Sequence, residues 1–448
     1  MAAHFSLLRF GLSVGTQVGT GGSGEDELVS GPLQRTVDLN GIMYRWPSRP
    51  VVVVCIDGGD PAYFDQCLRN GIVPNIRRFM TDGFSAVAEG VVPSLTNPNN
   101  MSLVTGSPPS IHGISGNYFL DPDTGAEVMM NEPEHLRSDS VLAGFSQLGA
   151  KVVAITAKDK LRRLLGRGLN LANGSINFSA EKANLCSIEE NGIDDVLGLV
   201  GMPLPEVYSA ELSLFVFEAA IRILERDRPD IMYLSTTDYV QHKYAPDTPE
   251  IDSFYAGLDA TFGRLEALGA VLAITADHGM SDKSRPDGSP NVIFLQDELD
   301  REFGEGSTRV ILPITDPYVV HHGSLGGFAR VYCYDEMTPS AVSRNVEGLS
   351  GIEAVYDKAT ACADFDLPFD REGDVVVISD AGTAIGASEA SHDLTALSGH
   401  RLRSHGGIAE RRVPFILSAP LSGEYAARAN AGTLRSYEIF DYAINGTA

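Results

Sequence analysis

Hydrophobic positions along this chain follow two rhythms, and their alternation predicts the architecture. Residues 51–56 (VVVVCI), 151–156 (KVVAIT), 230–235 (DIMYLS) and 270–275 (AVLAIT) form short apolar runs without polar alternation. Such runs are expected of parallel strands buried on both faces. Between them, residues 210–226 and 250–268 carry apolar side chains at helical spacing, and Pro61 and Pro74 each open a shorter helical stretch. Strands alternating with helices predict an α/β fold, a doubly wound, mostly parallel sheet with helices on both faces. A strand over 85–92 leads toward Thr96, and a last apolar strand over 413–417 returns to the same sheet.

From about residue 286 to 398 the rhythm breaks. Short strands over 329–334 and 374–378, one helix after Thr338-Pro339 and many turn residues predict an inserted, smaller α+β cap. The organisation expected is a flexible N-terminal leader at 1–30, a core built from 31–285 and 399–448, and the cap at 286–398. Folded structure is expected to begin near Arg49. Within the leader, Gly11-Leu12-Ser13-Val14-Gly15 imitates a nucleophile elbow, and residues 19–24 imitate a dinucleotide fingerprint. Neither has the flanking strand and helix that give those motifs their mechanics.

Composition narrows the function. A net charge of −25, from 34 basic and 59 acidic residues, argues against nucleic acid as a partner, because counterion release needs clustered Lys and Arg. An anionic substrate must then be held by local cations, which points to metal. Cys55, Cys67, Cys186, Cys333 and Cys362 are scattered, with no CxxC, so neither a disulfide framework nor a thiolate zinc site is expected. No apolar run is long enough for a membrane span, and the first residues lack a secretory pattern, so the expected compartment is the cytoplasm. The residues leave oligomeric state open, a homodimer included.

The candidate chemistry lies where the strands end. Ligands of open α/β sheets bind beyond the carboxyl ends of the strands, and there stand Asp57, Thr96, Asp238 and Asp277-His278. Thr96 is expected at or near a helix N-cap, with Pro98 just inside the helix and first-turn N–H groups free to face an anion. Asp238 and His242, four residues apart, share a face if that turn is helical. Gly279 is expected to free the backbone so that Asp277 and His278 converge, while His405, before Gly406-Gly407, is delivered from a distant loop. Carboxylates mixed with imidazoles, without thiolate, suit zinc better than manganese or iron. Ordinary alternatives exist for each residue taken singly: strand-end acids cap turns, and an Asp-x-x-x-His pair often lies on a surface. His4 and His135 read as solvated and His112 as part of a turn. His321-His322 is a rival metal pair whose adjacent side chains point to opposite faces.

Taken in order, Asp57, Thr96, Asp238, His242, Asp277, His278 and His405 resemble the metal set of the alkaline phosphatase superfamily. The segments Cys55-Ile56-Asp57-Gly58, Leu95-Thr96-Asn97-Pro98-Asn99, Gly116-Asn117-Tyr118 and Ala276-Asp277-His278-Gly279-Met280 are similar to its phosphonate-cleaving hydrolases, near the nucleotide pyrophosphatase/phosphodiesterase branch. The resemblance spans residue 50 to the C-terminus. It implies two zinc ions, one held by Asp238, His242 and His405, the other by Asp57, Asp277, His278 and the Thr96 hydroxyl. It implies further that Thr96 attacks phosphorus, that Asn117 binds phosphonyl oxygens, and that Lys158 and Lys160 hold a substrate carboxylate. The reaction so implied is hydrolysis of phosphonoacetate, a small anionic phosphonate, to acetate and phosphate. Three alternatives stay open: direct attack by zinc-bound hydroxide in place of Thr96; a phosphodiester or nucleotide substrate, with Tyr118 or Phe119 as a base-stacking surface; and, for Lys158 and Lys160, a solvated basic turn shared with Arg162 and Arg163. A sulfatase is disfavoured because its nucleophile is a modified Cys or Ser.

Overall fold

The continuous apolar runs pair with one another. The structure, a computed structural model, describes residues 35–121, 123–314, 324–397 and 399–447. At its centre lies a seven-stranded sheet in the order Phe84–Glu89, Arg412–Leu417, Val271–Thr275, Val51–Cys55, Ile231–Ser235, Val152–Thr156, Ile176–Ser179. The last five strands in that order are parallel, and Arg412–Leu417 runs against both of its neighbours. Val51–Cys55 is buried throughout. Its alternate side chains serve two cores: Val52 and Val54 pack beneath the helices Pro61–Asn70, Pro74–Asp82, Ala210–Asp227 and Pro249–Ala267. Val51, Val53 and Cys55 face the opposite layer, which includes the helices Thr96–Thr105, Val141–Gln147 and Asp159–Leu165. The alternation is that of any strand with two covered faces.

Folded structure begins earlier than Arg49. Thr36–Leu39 and Ile42–Arg45 form an antiparallel hairpin whose Val37, Leu39 and Tyr44 are buried in the second core. Its turn is Asn40-Gly41, with φ of 50° and 85°, the dipeptide that a two-residue hairpin turn favours. The strand Ile176–Ser179 was also not foreseen, since four residues are too short a run to stand out. Residues 1–34, and with them the two imitated motifs and His4, lie outside the described part.

A separate four-stranded antiparallel sheet has the order Thr308–Ile311, Phe328–Cys333, Val375–Ser379, Ile352–Asp357. Leu295–Phe303 and Pro339–Val346 pack on one of its faces, and Ala361 of the helix Lys358–Asp364 packs on the other. Where the chain leaves the central sheet and where it returns, Ser281–Asp282 pairs with Arg403–Ser404. That short ladder ties His405 to the turn after Val271–Thr275.

One helix start is capped from a distance. The helix Pro74–Asp82 has Val73 at its N-cap, without a side-chain hydrogen bond. The buried Asp259 carboxylate, from the helix Pro249–Ala267, accepts from Ile76 N at 2.7 Å and Asn75 N at 3.2 Å instead. Charge-assisted bonds of this kind contribute about 1.5–3 kcal/mol. Asp259→Ala is therefore expected to lower the unfolding free energy by about 2 kcal/mol in a denaturant titration with an unchanged slope, and Asp259→Asn by less.

Candidate active site

Register brings the functional strand ends to one level. Cys55 pairs with Thr275 and with Ser235, and Ser235 pairs with Thr156. The residues that follow leave the sheet side by side: Asp57, Thr236-Thr237-Asp238, Asp277-His278 and Lys158. Asp57 N donates to Thr236 Oγ1 at 2.8 Å and Gly58 N to Asp277 Oδ1 at 3.2 Å, so adjacent loops brace one another. A one-turn helix, Tyr239–Lys243, follows Asp238. It places His242 Nε2 2.8 Å from Asp238 Oδ2. Gly279 is required for a different reason from the one expected: it does not have a positive φ. A Cβ there would lie 2.4 Å from Asp60 Oδ2 and 3.3 Å from Glu410 O, so a side chain would require the Asp60 carboxylate to move.

Thr96 is the first residue of its helix, and Leu95 occupies the N-cap without a side-chain bond. The Thr96 hydroxyl is thus not the cap, and its Oγ1 lies 3.5 Å from His278 Nε2. The preceding loop is wired by Asn99, whose Nδ2 donates to the carbonyls of Val91, Pro93 and Leu95 at 3.1–3.3 Å and whose Oδ1 accepts from Val91 N at 2.8 Å. Asn100 joins that helix to the acids: its Nδ2 donates to Thr96 O at 2.9 Å and Asp277 Oδ2 at 3.1 Å, while Tyr233 Oη donates to its Oδ1 at 2.6 Å. Sequence reasoning missed Asn99 and Asn100 as braces. The run of amides after Thr96 was visible, but Asn99 folds back on its own loop, and Asn100 finds Asp277 and Tyr233 only once remote strands have packed.

Three imidazoles share one arrangement. Nδ1 of His242 lies 2.6 Å from Arg403 O, Nδ1 of His278 2.9 Å from Gly279 O, and Nδ1 of His405 2.8 Å from Ser94 O. A carbonyl only accepts, so each Nδ1 carries the proton and each Nε2 offers its lone pair to the site in the neutral ring. Those Nε2 atoms face carboxylates: His242 as above, His278 at 3.3 Å from Asp57 Oδ1, and His405 at 3.7 Å from Asp238 Oδ2. The rings of His278 and His405 stack, with centroids 3.5 Å apart and 6° between planes. Lone pairs and carboxylates aimed at one another in a buried site call for cations between them. Asp238, His242 and His405 each present a ligand atom within 4.8 Å of the others, as do Asp57, Asp238 and His278. Asp238 belongs to both triplets. Asp277 sits alongside, its Oδ2 3.8 Å from His278 Nε2.

Electrostatics point the same way. Burial, then the nearby Asp238 and Asp277, pushes the Asp57 carboxyl well above the usual range. Burial, then Asp238, pushes Asp277 up to about 7. Asp238 also suffers burial, but His242, Lys158 and His405 outweigh it and hold its carboxyl well below the ordinary value. Burial, then His278 and His242, keeps His405 neutral far below the ordinary histidine range. A neutral His405 beside crowded carboxyls is a donor set that a divalent metal favours.

One cavity opens beside these groups. Thr96, Asp57, Asp238, His405, Asn117, Lys158 and Lys160 line it, with Thr237, Leu161 and Ile314. Lys158 is the N-cap residue of the helix Asp159–Leu165, and Lys160 lies in its first turn. Among the described lining residues there is no aromatic ring other than His405. Phe119 is buried with its ring against His135 and Tyr118 does not line the cavity, so neither offers a base-stacking wall. His321-His322 falls outside the described residues. His112, read as part of a turn, ends the one-turn helix Pro109–His112, where it is buried and bonded to Ser102 Oγ at 2.8 Å, and burial lowers its pKa to about 3. His135 is only half-buried.

The architecture is alkaline-phosphatase-like, and over residues 51–407 the chain matches the type I phosphodiesterase/nucleotide pyrophosphatase family, to which it belongs. More particularly, it is similar to phosphonoacetate hydrolase from Sinorhizobium meliloti 1021, solved with phosphonoacetate and with phosphonoformate. The two share 48% identity and superpose with a TM-score of 0.89 over 93% of this chain and 100% of that one. Human ectonucleotide pyrophosphatase/phosphodiesterase 5, at 17% identity and a TM-score of 0.59 over 89% of this chain and 95% of that one, shares the fold alone. An uncharacterised pyrophosphatase/phosphodiesterase of Schizosaccharomyces pombe is 24% identical over 55% of this chain, a match that spans 44% of that relative's length.

Stability of the metal-free protein should report the crowded acids. Asp277 titrates at about 7 when folded against an ordinary 3.8, so the folded state keeps a proton that the unfolded chain releases. That contribution is fully present below pH 3.8 and is lost as pH rises to about 7, at most on the order of 4 kcal/mol. Chelated wild type should therefore lose Tm relative to chelated Asp277→Asn between pH 4 and 7, and zinc should restore wild type far more than the variant. Parallel Tm profiles would contradict the assignment.

Proposed function

We propose that this chain is a metal-dependent hydrolase that cleaves the carbon–phosphorus bond of phosphonoacetate, the substrate for which the similar Sinorhizobium meliloti enzyme is named, to give acetate and phosphate. The observation that carries this reading is the convergence of the Thr96 hydroxyl, two carboxylate–imidazole triplets and the Lys158–Lys160 pair on one cavity. We assign one zinc ion to Asp238, His242 and His405, and a second to Asp57, Asp277, His278 and Thr96. Zinc is preferred over manganese or iron because the donors mix imidazole and carboxylate. Divalent metal bound there supplies Lewis acidity, lowering the pKa of the threonine hydroxyl and screening the phosphonyl charge.

The chain's own residues do the rest. The Thr96 hydroxyl gives its proton to solvent water, its Oγ1 attacks phosphorus and forms a Thr96 phosphoester, and the electron pair of the breaking C–P bond passes to the departing methylene carbon. That carbon leaves as a carbanion unless its charge spreads into the adjacent carboxylate as an enediolate. Lys158 and Lys160 hold this carboxylate and favour the charge as it develops. A proton from water then completes acetate. A second water hydrolyses the phosphoester, releasing phosphate and returning the Thr96 hydroxyl. Asn117 holds a phosphonyl oxygen and orients phosphorus toward Thr96.

A nucleotide substrate wants an aromatic stacking surface, which the described lining residues lack. Among the described residues no helix is long and apolar enough to cross a membrane, and the five cysteines are free thiols. We assign the reaction to the cytoplasm on the thiols, since a reducing compartment keeps them so.

Phosphonoacetate assayed beside a nitrophenyl phosphodiester tests the substrate: kcat/KM should favour the phosphonate by at least about 100-fold, and a diester preference would overturn the reading. Chelation should abolish turnover and zinc should restore it. Thr96→Ala should lose about 10³-fold or more in kcat while Thr96→Ser retains part of the rate. Lys158→Ala and Lys160→Ala should each cost about 10²–10³-fold on phosphonoacetate but little on a nitrophenyl phosphonate without a carboxylate. Equal losses on both substrates would make them structural.

A further inference from the structure

Arg330 is the largest fully buried side chain in the described protein, and it belongs to the second sheet rather than to the metal-binding rim. Its Nε donates to Glu372 Oε1 at 2.6 Å, and both partners are completely buried. Its two remaining nitrogens are spent on backbone: Nη2 donates to Ser115 O at 2.8 Å and Nη1 to Tyr118 O at 2.9 Å. Those carbonyls flank Gly116-Asn117, and Asn117 lines the active-site cavity. A buried ion pair is weak evidence for stability, because apolar residues of similar volume usually serve as well. The planar fork, by contrast, reaches two carbonyls and a carboxylate at once, which a lysine ammonium on one flexible stem does not reproduce.

The segment is also gripped elsewhere from the same side. Asn117 N donates to Pro313 O at 2.7 Å, and Met130 N donates to Asn117 O at 2.8 Å. A Cβ on Gly116 would lie 2.6 Å from Pro313 Cβ and 3.2 Å from Arg330 Nη1, so the backbone is pressed against both. Asn117 Oδ1 itself is buried and accepts no hydrogen bond among the described residues. The position of that amide in the cavity therefore follows from where its backbone is held.

We propose that Arg330, oriented by Glu372, is a positioning residue for substrate recognition: by fixing the Ser115–Tyr118 backbone it aims the Asn117 side chain at the phosphonyl group. This rests on the reading that Asn117 contacts the substrate. The second sheet thereby sets the geometry of the phosphonate site without supplying a group that touches substrate, and a misplacement of about 1 Å in such a group can cost about 100-fold.

The test is a mutant cycle on the zinc-loaded full chain, with kcat and KM for phosphonoacetate, zinc content and Tm measured for each protein. Arg330→Met combined with Glu372→Gln removes both charges, so neither is left unpaired. It should keep the zinc content and lower kcat/KM by about 10–100-fold. In an Asn117→Ala background the same pair of changes should alter kcat/KM by less than about 2-fold, because the residue being aimed is gone. Arg330→Lys, which keeps a cation beside Glu372 but not the fork, should behave like the double variant and serves the same cycle if that variant does not fold. An equal loss in both backgrounds, or no loss where Asn117 is intact, would overturn the positioning role while leaving the Asn117 reading in place. If Asn117→Ala alone leaves kcat/KM unchanged, both fall together.

Discussion

Three buried carboxylates, Asp57, Asp238 and Asp277, face one another at the rim of an apolar sheet. In a low-dielectric site such charges repel strongly, so Asp57 and Asp277 resist ionisation, while His242 and Lys158 keep Asp238 ionised. The fold does not relieve this by separating them. It tightens it instead, since strand register brings their backbones level, Asn100 and Gly58 N hold the Asp277 carboxylate, and Thr236 holds the Asp57 backbone. What it supplies in return are three imidazoles with their protons turned outward to backbone carbonyls. A site built this way is incomplete as protein alone, and divalent cation is the chemistry it fits.

The same constraint separates structural from reactive roles along the Thr96 helix. The N-terminal loop is closed by Asn99 and the helix is joined to Asp277 by Asn100, so the Thr96 hydroxyl is not needed for capping. Lys158 acts across the boundary between acids and cavity: its charge helps hold Asp238 ionised, and it lines the space beside Thr96. One lysine can thus favour the ligand form of an acid on one side and face a substrate anion on the other.

The second sheet is joined to this centre by backbone contacts rather than by ligands. Arg330 and Pro313 grip the Asn117 segment, and Gly327 N donates to His405 O at 2.9 Å. The second-sheet region is therefore packed into the wall of the site, where Ile314 lines the cavity.

Much of the fold was legible in the chain because four buried parallel strands leave an unbroken apolar run, and each run ends on a chemically distinctive residue. Asp57, Asp238 and Asp277-His278 were legible for the same reason, since each follows such a run within three residues. Thr96 was found, but its place one residue inside the helix was not, since a cap assignment turns on backbone torsions. Local pattern also carried the Asn40-Gly41 turn, although the hairpin around it went unread. Tertiary structure alone decided the rest: that Asp238 faces both His242 and His405, that Asp259 caps a helix not its own, that Gly279 lies against the Asp60 carboxylate, and that Arg330 reaches the carbonyls of Ser115 and Tyr118, either side of Asn117, across 212–215 residues of sequence. Periodicity records which face of an element is buried. It holds no information about which remote donor meets which acceptor, because that pairing exists only after the sheets and helices have packed.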